Sequence, residues 1–239
     1  GHAIYEQQID DIVSETVLGE GTSMGIHESQ SRIFENMFGR NINFLKNIFN
    51  KFDELFDVRS KGIEVEDFYK IVNTVSKSLI RIEADELTYP IHIMIRYELE
   101  KEIFSNLEEI ESSEYIDYLA NKWADMYEEF LGVRPTTNSE GILQDVHWSS
   151  GLFGYFPSYA LGSAYAAQIY NSMNKEFSIE ENLSNGNFDN INSFLKDKIH
   201  KFGKSKTPNE LLILATGEAF NPDYYINYLK EKYRKIYGI

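Results

Sequence analysis

The 239 residues are enough for one large domain or two small ones, and 42% hydrophobic with 14% aromatic residues is enough to build a buried core. Against 38 Asp and Glu stand 23 Lys and Arg, a formal charge of −15 that repels phosphate backbones and anionic lipid, so neither nucleic-acid nor membrane binding is expected. The sequence has no cysteine, which excludes disulfides, thiol catalysis and cysteine-ligated zinc and fits a cytoplasmic protein.

Helical periodicity dominates the chain. The sequence starts within a helical pattern, residues 3–12, with no Ser, Thr, Asp or Asn ahead of it to cap the first turn. Residues 31–49 place Ile33, Phe34, Met37, Phe38, Ile42, Leu45, Ile48 and Phe49 at helical spacings, and Gly39 is expected to break or bend that run. Val65, Phe68, Ile71, Val72 and Val75 repeat the pattern. A long helix is predicted over 86–104, with Pro90 early in it, where a missing N–H costs little. Another spans 115–131 and is closed by Gly132.

Residues 155–177 read as a helix rich in Ala and Gly, which lets a neighbouring helix approach closely. Residues 188–202 and 223–237 complete the helices. Strand signals are confined to KSLIRIE, around Leu79, Arg81 and Glu83, and to GILQDVHW, a short strand or a turn. The fold class is mainly α, with at most a small β-sheet. No apolar run approaches the roughly 20 residues of a membrane helix.

Four stretches hold polar residues that core patterning leaves unexplained. His2 stands at a helix start, ordinarily a surface position. Glu28, beside His27, Gln30 and Arg32, is either a carboxylate favoured by the helix dipole or a metal ligand facing a His on another helix. Arg81, Glu83, Asp85 and Glu86 form either a surface ion-pair set or a cleft in which Arg81 grips a carboxylate with two hydrogen bonds. Gln144, Asp145, His147, Trp148, Tyr155 and Tyr159 lie among glycines, as a buried aromatic cluster or as donors to a developing oxyanion.

Taken in order, these stretches resemble the thermostable carboxypeptidase (Taq) family of zinc metallopeptidases. Gly1 to Gln7 matches the end of the family's His-Glu-x-Gly-His helix motif and the run that follows it. His27 to Gln30 matches His-Glu-Ser-Gln, Ile80 to Asp85 matches Ile-Arg-x-x-Ala-Asp, and Gly141 to Trp148 matches Gly-x-x-Gln-Asp-x-His-Trp. The similarity runs nearly end to end, so residues 1–239 are expected to be the C-terminal part of a metallocarboxypeptidase catalytic domain. The resemblance places the first histidine ligand, the catalytic Glu and an Asp-x-Arg-x-Thr motif before Gly1.

The implied reaction removes the C-terminal residue of a short peptide. His2 and Glu28 would be the metal ligands, with zinc as the default ion and cobalt or manganese compatible with the same donors. His147 and Tyr155 would stabilise the tetrahedral oxyanion. Arg81 would recognise the substrate carboxylate or limit peptide length, with Asp85 holding Arg81 or capping the next helix. Gln144 and Asp145 would orient their neighbours. The family pattern also implies a homodimer. Two protein ligands fall short of the three that catalytic zinc usually takes, so the isolated chain is expected to bind zinc weakly and to be inactive. A helical binding protein that has lost catalysis and one half of a split peptidase are the competing expectations.

Overall fold

The structure is a computed structural model that describes residues 1–109 and 112–239. The first predicted helix is interrupted. Helix α1 covers His2–Gln7, and Asp10 starts α2, Asp11–Ser14, by accepting a hydrogen bond from the Ile12 N–H. Helix α3 is Met24–Arg32, capped by the Ser23 side chain on the Ile26 N–H. It runs into a π-helical segment, Ile33–Gly39, which ends at the predicted glycine, and α4 follows over Ile42–Phe56. Helix α5 is Val65–Val72.

Helix α6, Tyr89–Ser105, carries Pro90 in its first turn. Helix α7, Ser113–Leu131, is capped by the Ser112 hydroxyl and closed by Gly132 at φ 67°, a left-handed conformation that glycine adopts without penalty. Helix α8 is Pro157–Glu176, and α9 to α12 are Ile179–Ser184, Asp189–Lys198, Pro208–Thr216 and Asp223–Tyr237.

No strand occurs among the described residues. KSLIRIE does not extend into a strand but tightens into a 3-10 turn over Arg81–Glu83. The Arg81 N–H goes to the Gln144 side chain and the Glu83 N–H to the Ile80 carbonyl, so neither joins a ladder. GILQDVHW is likewise a series of turns. No described helix is long and apolar enough to cross a membrane.

The chain divides into two units. The first comprises residues 1–73 and 161–239, the second residues 74–160. In the first, Tyr5, Ile26, Ile33, Met37 and Phe38 pack with Ala166, Ala167, Ile169 and Met173 of α8 and with Ile191, Leu195, Leu211 and Leu212. Each such buried aliphatic or aromatic side chain contributes about 1.5–3 kcal/mol. Gly162 lets α8 approach α3 as the small-residue pattern predicts, since a Cβ added there would lie 2.3 Å from Glu28 Cβ. In the second unit, Ile95, Leu99 and Ile103 of α6 face Tyr115, Leu119, Trp123, Tyr127 and Leu131 of α7.

Candidate active site

In the first unit, α1 and α3 bring His2 and Glu28 together. His2 Nε2 lies 3.7 Å from Glu28 Oε1. The exposed imidazole faces a carboxylate whose side chain is 10% exposed. The other oxygen, Oε2, accepts the Ser31 hydroxyl at 2.9 Å and lies 3.6 Å from Arg32 Nε, which leaves Oε1 toward His2.

A chain of hydrogen bonds sets the His2 tautomer. Glu6 Oε1 accepts from His27 Nε2 at 2.7 Å and from the Gly21 N–H at 3.0 Å. With its proton on Nε2, His27 accepts through Nδ1, 3.2 Å from His2 Nδ1. His2 therefore donates from Nδ1 and turns the Nε2 lone pair toward Glu28. Burial lowers the His2 pKa, Glu28 opposes that shift, and the neutral form prevails at pH 7.

An imidazole lone pair and a carboxylate oxygen facing across 3.7 Å suit a shared cation. Donors on one tetrahedral zinc ion, at about 2.0–2.2 Å each, stand about 3.4 Å apart. The pair fits such an ion as part of its ligand set. The described residues gather no group of three His, Asp or Glu side chains able to hold a metal.

In the second unit, Asp145 sits between two buried arginines. Its Oδ1 accepts from Arg81 Nε at 3.0 Å and Nη2 at 2.7 Å. Its Oδ2 accepts from Arg96 Nε at 2.7 Å and lies 2.6 Å from Arg96 Nη2. Arg81 Nη1 donates to the Tyr89 hydroxyl, and Arg96 Nη1 to the His92 carbonyl and the Tyr127 hydroxyl. Gln144 Oε1 accepts from the Arg81 N–H and from Arg96 Nη2. Burial alone would raise the Asp145 pKa, but the Arg81 hydrogen bond and the charges of both arginines outweigh it and hold the carboxyl below its ordinary value.

His147 adjoins this cluster, its Nδ1 4.0 Å from Asp145 Oδ1. That buried nitrogen has no hydrogen-bond partner among the described residues, and Nε2 pairs with the Tyr159 hydroxyl at 3.0 Å. Burial and the Arg81 charge lower the His147 pKa. The Tyr155 ring is 5.5 Å from the His147 ring. Arg81, Gln144, Asp145, His147 and Tyr155 are thus gathered within one unit, but Asp85 is engaged elsewhere. Asp85 accepts the Leu87 and Thr88 N–H groups, the Thr88 hydroxyl and the Ser76 N–H, and so holds the turn that leads into α6 rather than Arg81.

Sequence reasoning did not single out Arg96, His92, Tyr127 or Glu100. His92, Arg96 and Glu100 recur every four residues on α6, with Ile95, Leu99 and Ile103 around them. Polar residues at that spacing within an apolar helix form one buried stripe, and this is the signal that marks them.

The described residues thus form a helical fold in which a His–Glu pair is placed to share a cation. The family model described as carboxypeptidase Taq (M32) metallopeptidase matches residues 1–233, and the chain belongs to that family. It is 48% identical over 238 residues to carboxypeptidase 1 of Bacillus subtilis (strain 168), covering 99% of this chain and 46% of that protein. It is 42% identical over 234 residues to thermostable carboxypeptidase 1 of Pyrococcus furiosus, covering 98% of this chain and 46% of that protein. The crystal structure of the M32 carboxypeptidase from Deinococcus radiodurans R1 aligns with a TM-score of 0.93 at 38% identity, over 100% of this chain and 47% of that one. The chain therefore spans about half the length of these relatives.

Proposed function

We propose that the chain supplies part of the active site of a metallocarboxypeptidase that releases C-terminal residues from short peptides. One observation carries this reading: His2 Nε2 faces Glu28 Oε1 at 3.7 Å, and the His27 and Glu6 contacts suit the tautomer that leaves Nε2 free to bind. His2 and Glu28 act as two of the protein donors to a divalent ion, zinc in the default case, with cobalt or manganese accepted by the same chemistry. Catalysis on such an ion needs a further donor and a general base beside this pair. When bound, the ion supplies Lewis acidity for the scissile carbonyl and acidifies water.

The chain's own residues do the rest. Ser31 and Arg32 hold Glu28, and His27 holds His2. His147 and Tyr155 donate to the developing oxyanion. Arg81 is buried and committed to Asp145 and Tyr89, so it serves the substrate carboxylate through the positive field it shares with Arg96 and through limiting the room for longer peptides. Gln144 and Asp145 fix both arginines. A cytoplasmic homodimer completes the reading; this part rests on the family resemblance and the cysteine-free sequence.

Release of the C-terminal residue from N-blocked dipeptides by the full-length protein tests the proposal. Activity that is lost on chelation, restored by zinc and abolished in Glu28→Gln supports it. Undiminished activity in Glu28→Gln contradicts it.

A further inference from the structure

Glu100 lies on α6 and is 5% exposed. A carboxylate so deeply buried is costly unless hydrogen-bonded or paired with a cation. Among the described residues no Lys, Arg or His pairs with it. Its two oxygens are instead taken up by one loop: Oε1 accepts Trp148 Nε1–H at 2.7 Å and Oε2 accepts the Gly154 N–H at 3.1 Å.

These two anchors lie immediately inside the two oxyanion candidates, one next to each. Trp148 follows His147 directly, and Gly154 directly precedes Tyr155. Between them the loop is closed by the Leu152 N–H on the His147 carbonyl at 2.8 Å. Gly151 and Gly154 turn it at φ 74° and 73°, where a side chain would be strained. The Trp148 ring lies parallel to Phe153, centroids 6.3 Å apart, and edge-on to Trp123 at 6.0 Å. The aromatic packing fills the loop but sets no direction for its backbone, whereas the carboxylate fixes both ends from a rigid helix.

We propose that Glu100 is a positioning residue for the reaction: by clasping Trp148 and Gly154 it holds His147 and Tyr155 in one geometry. The inference rests on the reading of His147 and Tyr155 as oxyanion donors. Glu100 reaches neither substrate nor metal in this account and works only through the loop. Gln at this position keeps the volume but offers one acceptor oxygen, so its NH2 group faces either the Trp148 or the Gly154 donor.

Glu100→Gln and Trp148→Phe in the full-length protein test the clasp. Each is expected to lower kcat by about tenfold or more while KM stays within about twofold, the signature of misplaced groups rather than lost binding. The double variant is expected to cost no more than the worse single one, because both break one clasp. In Glu100→Gln either the Trp148 indole N–H or the Gly154 amide N–H should exchange faster by NMR, with the Trp123 indole as internal control. An active protein whose kcat is unchanged in both variants overturns the assignment and leaves the carboxypeptidase reading intact. Unchanged exchange at both Trp148 and Gly154 in Glu100→Gln also overturns it. An unsubstituted protein inactive on every dipeptide overturns that reading, and this assignment with it.

Discussion

Replacing Asp145 by Asn isolates the electrostatic core of the second unit. The Asp145 side chain is 11% exposed, that of Arg81 7% and that of Arg96 0%. Asn preserves the shape but carries one acceptor, so two of the four guanidinium bonds are lost and an NH2 group is turned toward an arginine. Charge-assisted hydrogen bonds contribute about 1.5–3 kcal/mol each, so two amount to about 3–6 kcal/mol. That agrees with the about 3–5 kcal/mol lost when one partner of a buried ion pair is removed. Trp123 and Trp148, the two tryptophans of the sequence, both belong to this unit, so their fluorescence reports its unfolding in urea. With a denaturant slope near 2 kcal/mol/M, the midpoint should fall by about 2 M. Because the Asp145 pKa is depressed from 3.8, the contribution is present above that pH and is lost as the pH falls through the folded value. A shift under about 0.5 M at pH 7 would refute the reasoning.

Gly162→Ala places a methyl group 2.3 Å from Glu28 Cβ, forcing α8 away from α3. It should cost about 1–3 kcal/mol, read as a lowered Tm, and should weaken metal binding. An unchanged Tm would show that the close approach is not required. Burial holds the His200 pKa at about 3, with its ring between Gln8 and Gln30 and stacked on Tyr5. Between pH 6.5 and 3 the unfolded chain binds a proton that the folded chain does not, so stability falls as the pH falls, by up to about 1.4 kcal/mol per pH unit. NMR of the His200 ring should show it neutral at pH 5, and titration near 6.5 would contradict its burial.

Helix ends were legible at some glycine stop signals and not at others: the helix Pro208–Thr216, closed by Gly217, was not read from the sequence. The 223–237 reading coincides with Asp223–Tyr237, and 115–131 differs from Ser113–Leu131 only at its start. Gly132 and Gly238 mark those C-termini through left-handed caps that any reader of the sequence can anticipate. The π segment at Ile33–Gly39 was not legible, because its apolar residues satisfy a helical spacing whether or not the backbone widens. The break between α1 and α2 was missed because Asp10 reads equally well as a surface residue of a continuous helix. At the site, Glu28 and His147 stood out because polar residues lay among glycines or at a helix start. Arg96 and Glu100 did not, since their partners Asp145 and Trp148 lie nearly 50 residues away and only the folded chain brings them together.

The zinc stoichiometry and affinity of the purified 239-residue chain test the central claim most directly, by competition with a chromophoric chelator. On the proposed function His2 and Glu28 are two donors of an incomplete set. Binding should therefore be weak, with a Kd above about 1 μM, and Glu28→Gln should abolish it, because catalytic zinc takes three protein ligands. One tightly held zinc per chain that survives Glu28→Gln would contradict the proposal.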